Sequence, residues 1–445
     1  MHFPIPQEVE DILNRFAENG YEAYAVGGCV RDVLLGRVPN DWDVTTSAHP
    51  EETMRIFADR RVLKTGLKHG TVTILSGNLP VEVTTFRVDG AYSDGRHPDF
   101  VSFTGKLEED LARRDFTVNA MAYRPQTGLV DCFGGREDLN RKIIRCVGDP
   151  DKRYKEDGLR ILRALRFAST LGFSLEKNTA ESAVRNRGLI DRIASERVRV
   201  EFVKLLCGKS AAENLRNYRE VIAQFIPEIR PAFDFDQKNP HHRYDVWEHT
   251  IHSIEAVEPE PVLRLTMFLH DLGKPMCFTQ SADGVGHFYG HPKKSAELAK
   301  QILKRLRFDK KTENTVLTLV SNHDLPLLPQ ERSLRKRLNV LGEQNLRLLL
   351  KVEEADAKGK GTDKDTYLES LAEVPSVLQR IIEQRQCFQL KDLAVNGEDL
   401  IKAGIPEGKA VGKTLQYLLN VVLDGKCANS KQELLMLLQK EGRIH

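Results

Sequence analysis

The rhythm of apolar and polar positions changes near Tyr154. Before it, short β-rich runs stand out. Val72, Ile74 and Leu75 form one, Val81, Val83 and Phe86 the next, and SGNLP joins them. Two such runs around a short turn predict a β-hairpin. After Tyr154, apolar residues recur at helical spacing in LRILRALRFASTLGF and ERVRVEFVKLL. Most of the remaining chain predicts helices with short loops marked by Pro and Gly. KGKGTDKDT, around Lys358 to Thr366, reads as an exposed connection, and the part from about Lys391 as a further helical unit. The pattern contains no internal repeat. It predicts an α+β domain from about Pro4 to Cys146, followed by mostly all-α chain.

Composition narrows this picture. A chain of 445 residues is too long for one typical domain. Apolar residues make up 40% and charged residues 29%, the balance of a soluble globular protein. No run reaches the roughly 18 apolar residues that would span a bilayer. The start, MHFPIPQEVEDILNRF, has no basic region followed by an apolar run, so no signal peptide is expected. Seven scattered cysteines without a CxxC pair fit reduced thiols and a cytoplasmic location. The net charge of +2 says nothing of a nucleic-acid partner, so an RNA surface would have to be a local basic patch. Two basic runs, Lys300 to Lys311 and Arg332 to Leu338, either track an RNA backbone or are solvated helix faces.

Candidate chemistry begins at YEAYAVGGCVRDVLLGRVPNDWDVTT, Tyr21 to Thr46. Gly27 and Gly28 let the backbone approach phosphate, and a following helix start offers N–H donors. Asp41 and Asp43 are two apart, so in a strand they face the same side. Such a pair suits two divalent cations, one for an attacking hydroxyl and one for a triphosphate. A solvated acidic turn is the alternative. Glu82, between Val81 and Val83, is either a third carboxylate on a neighbouring strand or an edge-strand residue facing water. Arg31 either touches phosphate or pairs with Asp32.

Five blocks then follow in order: GGCVRD with DWD, RRDFTVNAM (Arg113 to Met121), DCFGGREDL (Asp131 to Leu139), EDGLRILRALRF (Glu156 to Phe167) and ASERVRVEF (Ala194 to Phe202). Together they resemble motifs A to E of the class II tRNA nucleotidyltransferases, the CCA-adding enzymes. These share a polymerase-β-like head with bacterial poly(A) polymerases. The resemblance implies catalysis by Asp41, Asp43 and Glu82 with Mg²⁺. It implies nucleotide binding by Gly28, Arg31, Arg114, Asp115, Asn119, Asp157, Arg160 and Arg163. Arg114 and Asp115 would hold the ribose. Asp157 and Arg160, three apart on a predicted helix and so on one face, would read the base edge of C or A, with Glu156 holding the arginine. An intrahelical ion pair is the alternative. Asp131, Gly134 and Gly135 read as a structural turn. The long polar stretch RVDGAYSDGRHPDFVSFTGKLEEDL appears in full, which in this family goes with addition of the final A.

Eight of the thirteen histidines fall between His241 and His323. His249, His270-Asp271, His291 and His323, closed by Asp356, resemble the ligand set of an HD domain, a family of metal-dependent phosphohydrolases. Mixed imidazole and carboxylate donors suit Mn, Fe, Ni, Co or Mg. Lys274 is placed to neutralise phosphate. His241, His242, His252 and His287 read as surface or supporting residues. From Leu393 the chain resembles the tRNA-gripping end of bacterial CCA-adding enzymes, with Gly404 to Gly412 as a turn before a helix. EGKAVGKT is not a P-loop, since Glu407 stands where the pattern needs glycine.

These readings predict a polymerase-β-like nucleotidyltransferase head (1–140), a neck with nucleotide-templating helices (141–208), a body with an HD domain (209–360) and a tRNA-binding tail (361–445). The expected activity is addition of C, C and A to tRNA from CTP and ATP, with no membrane partner and the oligomeric state open. The alternatives are an A-adding enzyme or poly(A) polymerase of the same family, an HD phosphohydrolase with a vestigial head, and a non-catalytic tRNA-binding protein.

Overall fold

A computed structural model describes residues 3–64, 66–90, 92, 100–361, 366–384 and 386–444. The chain divides into two compact units, Met1–Pro227 and Glu228–His445.

The first unit is built on a seven-stranded mixed sheet of order β3-β4-β5-β2-β1-β8-β9. Its strands are β1 (Ala23–Val26), β2 (Trp42–Thr46), β3 (Val62–Leu63), β4 (Thr71–Ser76), β5 (Leu79–Thr85), β8 (Met121–Arg124) and β9 (Gly128–Asp131). The expected hairpin is β4–β5, with Ser76 opposite Leu79. Val81, Val83 and Thr85 of β5 are buried while Glu82 between them is exposed, the two-residue alternation of a half-buried strand. Strand β5 also pairs in parallel with β2, in a register that sets Asp43 beside Glu82. This removes the edge-strand reading of Glu82, because β5 lies between β4 and β2. A separate pair, β6 (Arg87–Asp89) and β7 (Val101–Phe103), closes the long polar stretch at its base. Residues 91 and 93–99 of that stretch lie outside the described residues. The helix Gln7–Glu18 buries Val9, Ile12, Leu13 and Phe16 along one face.

After the sheet the unit is mainly helical. The helix expected across Glu156 to Phe167 is two helices, Pro150–Glu156 and Leu159–Leu171. Asp157 between them is extended (φ −145°, ψ 108°), so it and Arg160 do not share one continuous helix. The cause is local. The Asp157 carboxylate accepts from the backbone N–H of Leu159 at 3.0 Å, capping the second helix in place of continuing the first. Gly158 is held so close to Leu189 that an added Cβ would lie 2.9 Å from its carbonyl oxygen. Asp131 is a cap as well, accepting from the N–H groups of Gly135 and Arg136 at 2.8 and 2.9 Å. Gly134 (φ 75°) makes the turn.

Among the described residues the second unit is helical apart from one short strand pair, Thr279–Gln280 with Gly286–His287. Helices Val246–Ala256, Pro261–Leu269, His291–Arg305, Lys310–Asn322 and Glu331–Gly359 pack around buried Trp247, Met267, Phe268, Leu319 and Val352. The C-terminal helices have their own core of Leu400, Leu418, Leu419, Val422, Leu434 and Leu438. The expected exposed connection begins differently: Lys358 and Gly359 complete a helix, and Gly359 is buried against Ser253. Residues 362–365 lie outside the described residues. In the second basic run, Arg332 and Lys336 both pair with Asp424, at 3.1 and 2.5 Å. Among the described residues no helix is long and apolar enough to cross a membrane, and all seven cysteines are free.

Candidate active site and histidine centre

The first unit holds a cavity of about 530 Å³ lined by seven arginines and four aspartates. That excess of fixed cations suits a polyanionic ligand. Strand β1 ends at Val26, and Gly27 turns the chain with φ +83° into the Gly28–Leu34 helix. Glycine suits this φ, which L side chains rarely adopt, and a Cβ on Gly27 would also press on the Arg114 guanidinium at 3.0 Å. Asp41 precedes β2 and Asp43 lies within it, and both carboxylates face the cavity. Burial pushes the Asp43 carboxyl up to about 6, with the charges of Asp41 and Glu82 adding to it. A divalent cation would relieve that repulsion, so the donor set fits a hard metal. Glu82 does not line the cavity; it is exposed on the adjoining strand.

The remaining groups are held in a network. Arg31 donates to Asp32 at 2.9 Å and to Asn119 at 2.5 Å. Asn119 in turn donates to Asp115 at 3.1 Å. Asp115 also accepts from Arg163 at 2.8 and 2.5 Å. Burial opposes the charge on Asp115, but Arg163 and Asn119 more than offset it and hold the carboxyl down at about 2. Buried Asp110 anchors Arg113 and Arg114 at 2.7 and 3.3 Å. Arg160 donates to Glu156 at 2.5 Å, to the Arg153 carbonyl at 3.1 Å and to the Arg113 carbonyl at 3.1 Å. Its guanidinium therefore has little freedom to turn. Asp157 receives Arg197 at 2.9 Å.

Ten sequence-derived residues thus share one cavity: Gly28, Arg31, Asp41 and Asp43 from the first block, Arg114, Asp115 and Asn119 from the second, and Asp157, Arg160 and Arg163 from the fourth. Sequence reading missed Arg113, Arg166, Phe167 and Arg197, which line it too. Helical spacing would have found Phe167, which lies seven residues after Arg160 and so on the same face. The guanidinium of Arg166 stacks on Phe167 at 3.7 Å from the ring centroid. Arg197 lies inside the fifth block, Ala194 to Phe202, but its contact with Asp157, forty residues earlier, appears only in the folded chain.

In the second unit all six histidine-centre residues converge. His249, His270, Asp271 and Asp356 form one group of donors, and Asp271, His291 and His323 form another. Asp271 belongs to both. Its Oδ2 lies 3.2 Å from His249 and 3.3 Å from His270, while its Oδ1 lies 3.2 Å from His291 and 3.5 Å from His323. Asp356 approaches His249 at 3.0 Å and His270 at 3.3 Å. His270, His291 and His323 pair through Nδ1 with the carbonyls of Met267, Phe288 and Val320, at 2.7, 2.9 and 2.8 Å. Each carbonyl lies three residues earlier and can only accept. In these three rings Nδ1 carries the proton and Nε2 presents a lone pair inward, while the Nδ1 of His249 has no partner. Facing Nε2 atoms lie 3.2 Å apart in both groups. Asp271 Oδ1 is buried without a hydrogen-bond partner, and Oδ2 takes only Lys274, at 2.7 Å, besides the imidazoles. Lone pairs so opposed fit bound cations, one in each group.

One supporting group differs from expectation. Lys274 is buried and bonded to Asp271 at 2.7 Å and Gln237 at 2.9 Å, so it balances the Asp271 charge and does not reach out to a ligand. His242, read as surface or supporting, is half-buried and takes the supporting place. Its ring meets His249 edge-on at 5.3 Å and its Nδ1 has no partner.

Comparison with known proteins places this architecture. Residues 23–145 match the model of the poly A polymerase head domain. Residues 172–233 match the probable RNA and SrmB-binding site of polymerase A, and 287–438 the putative tRNA nucleotidyltransferase domain 2. The CCA-adding enzyme of Limosilactobacillus fermentum is 35% identical over 97% of this chain and 96% of its own. The chain belongs to the CCA-adding enzyme family. Another family member, from Geobacillus kaustophilus, is 34% identical over 98% of this chain and 96% of its own. The crystal structure of the Bacillus stearothermophilus CCA-adding enzyme in complex with CTP shares the fold at a TM-score of 0.73 and 31% identity, covering 98% of this chain and 97% of that one.

Proposed function

We propose that the chain adds C, C and A to the 3′ end of tRNA from CTP and ATP, with the cavity of the first unit as its active site. The observation that carries this is the convergence of the Asp41 and Asp43 carboxylates with Arg160, held from behind by Glu156, on one arginine-lined cavity. Asp41 and Asp43 would hold Mg²⁺, which when bound favours the ionised 3′ hydroxyl and offsets triphosphate charge. Glu82, beside Asp43 in register, is the third carboxylate in this reading. The Gly28 turn and Arg31 cradle the phosphates. The 3′ oxygen attacks the α-phosphorus, the bond to the β-phosphate breaks, and pyrophosphate leaves. Arg114 and Asp115 fix the ribose, Asp115 through its tie to Arg163. The Arg160 guanidinium donates to the base edge and the Asp157 carboxylate accepts from the amino group, so protein side chains choose C or A. The division into head (1–140), neck (141–208), body (209–360) and tRNA-binding tail (361–445) belongs to the same reading, as does a cytoplasmic place of action.

The test offers tRNA lacking CCA, tRNA lacking only the final A, and complete tRNA, with labelled CTP and ATP. Two C and one A on the first, one A on the second and none on the third are expected. Addition of A alone would point to the A-adding alternative, and untemplated A tails to a poly(A) polymerase.

A second reading rests on the shared Asp271. We infer a phosphohydrolase centre in the second unit, with His249, His270 and Asp356 holding one divalent cation (Mn, Ni, Co or Mg) and His291 and His323 a second. When bound, such ions activate water against a phosphate ester, including a cyclic phosphate. Lys274 holds Asp271 ionised and in place.

A further inference from the structure

The loop that delivers His291 to the histidine centre carries three aromatic residues in a row, and each is used differently. Phe288 faces inward. Its ring lies 5.4 Å from Lys274 Nζ, and its carbonyl takes the Nδ1–H of His291 at 2.9 Å. His287, at the end of a short strand, and Tyr289, in the turn that follows, flank it in sequence. Their rings are nearly parallel, with centroids 5.4 Å apart and an interplanar angle of 12°. Tyr289 is 78% exposed, so one face of this stack is open to solvent. Gly290 then turns at φ +80° and His291 begins its helix. Gly290 alone separates Tyr289 from His291, a reach of at most about 7 Å between their Cα atoms.

An isolated exposed tyrosine is ordinary. This one is held flat on a second ring, in the segment whose backbone orients a candidate metal ligand. Planar aromatic faces beside a phosphate-handling centre bind nucleobases by stacking, without regard to base identity. We propose that the His287–Tyr289 pair is a base-stacking platform of the histidine centre. Its substrate is then a phosphate ester borne by a nucleoside and not a phosphomonoester at large. This rests on the phosphohydrolase reading and extends it to a substrate class.

The test compares adenosine monophosphate with ribose 5-phosphate, which keeps the sugar phosphate and lacks the base. Both are titrated calorimetrically into the metal-loaded full chain, its Tyr289→Ala variant and its Tyr289→Phe variant, and turnover of both is measured alongside. Tyr289→Ala should weaken adenosine monophosphate binding by about 5- to 150-fold. Ribose 5-phosphate binding should not change, and Tyr289→Phe should restore the nucleotide. The cavity of the first unit is identical in all three proteins and drops out of the difference. Equal nucleotide binding by wild type and Tyr289→Ala overturns the platform. Equal turnover of both phosphates, unaffected by Tyr289→Ala, overturns it as well while leaving the phosphohydrolase reading intact. Loss of nucleotide binding in Tyr289→Ala with no turnover of either phosphate would uphold the platform and end the phosphohydrolase reading.

Discussion

The carboxylates of the first unit stand at the end of a sheet, in an open cavity crowded with arginines. The carboxylates and imidazoles of the second are enclosed by helices, with His249 and His270 at 0% exposure and Asp271 at 1%. The first site has two or three oxygen donors and a large excess of cationic side chains, so it is organised for a ligand that brings both its own charge and its cation. The second has its donors gathered, and backbone carbonyls set the protons of three of its four imidazoles. On the proposed reading the first would take its metal with the nucleotide and the second would keep its ions, a contrast that burial, donor number and fixation of the ligands would produce.

The sharpest way to break this contrast is at Asp41 and Asp43. Replacing both with asparagine should lower C and A incorporation by about a thousand-fold or more, since several kcal/mol of charge stabilisation are lost. Metal carried by the purified protein, measured by mass spectrometry, should not change. A fall in resident metal would mean that the open site also holds ions permanently. The converse variant, His270→Ala with Asp271→Ala, should remove both resident ions, because Asp271 faces both groups, and abolish metal-stimulated phosphate hydrolysis. CCA addition should persist. If one ion remained at full occupancy, Asp271 would not be shared.

A smaller effect is expected from Arg160→Ala. It removes the donor fork held by Glu156, so discrimination among the four nucleotides should fall by about 5- to 150-fold while Mg²⁺ dependence is kept. Faithful C, C, A order in that variant would sink the base-reading assignment. The smallest effect concerns Glu353, on the helix that carries Asp356. Burial pushes its carboxyl up from 4.5 to about 8, with Asp356 adding to the shift and the Leu327 N–H and Arg337 opposing it. The folded chain therefore holds this proton more tightly than the unfolded one. The stability it lends is present below about pH 4.5 and is lost as pH rises through about 8. Glu353→Gln should flatten the decline in thermal midpoint across that window. An unchanged pH profile would show that Glu353 is ionised in the fold.

Much of the first site is legible in the residues themselves. The Gly27-Gly28 turn, the Asp41/Asp43 spacing and the β4–β5 hairpin depend on local conformational rules, and those rules act over a few residues. The placement of Asp157 was misread because helical periodicity runs straight through it. The structure shows Asp157 capping the next helix at Leu159, with Gly158 pressed against Leu189 about thirty residues on. Glu82 reads equally as an edge residue or a site neighbour until β2 is seen to pair with β5 across the intervening chain. Lys274 read as facing a phosphate, yet it is buried against Asp271, and only the packed structure chooses the supporting reading of His242 over the surface one.

The sequence by itself determined the types of donor and their order: hard oxygens and arginines first, imidazoles later. It also carried the five blocks that mark the CCA-adding family. Tertiary structure alone decided which of those groups meet. It set Asp43 beside Glu82, tied Arg197 to Asp157 and turned the two oxygens of Asp271 toward different histidine pairs. The reason is physical. Local propensity is set by each residue and its near neighbours, whereas charge sharing, burial and proton placement belong to groups far apart in sequence, which acquire them only once the chain has packed.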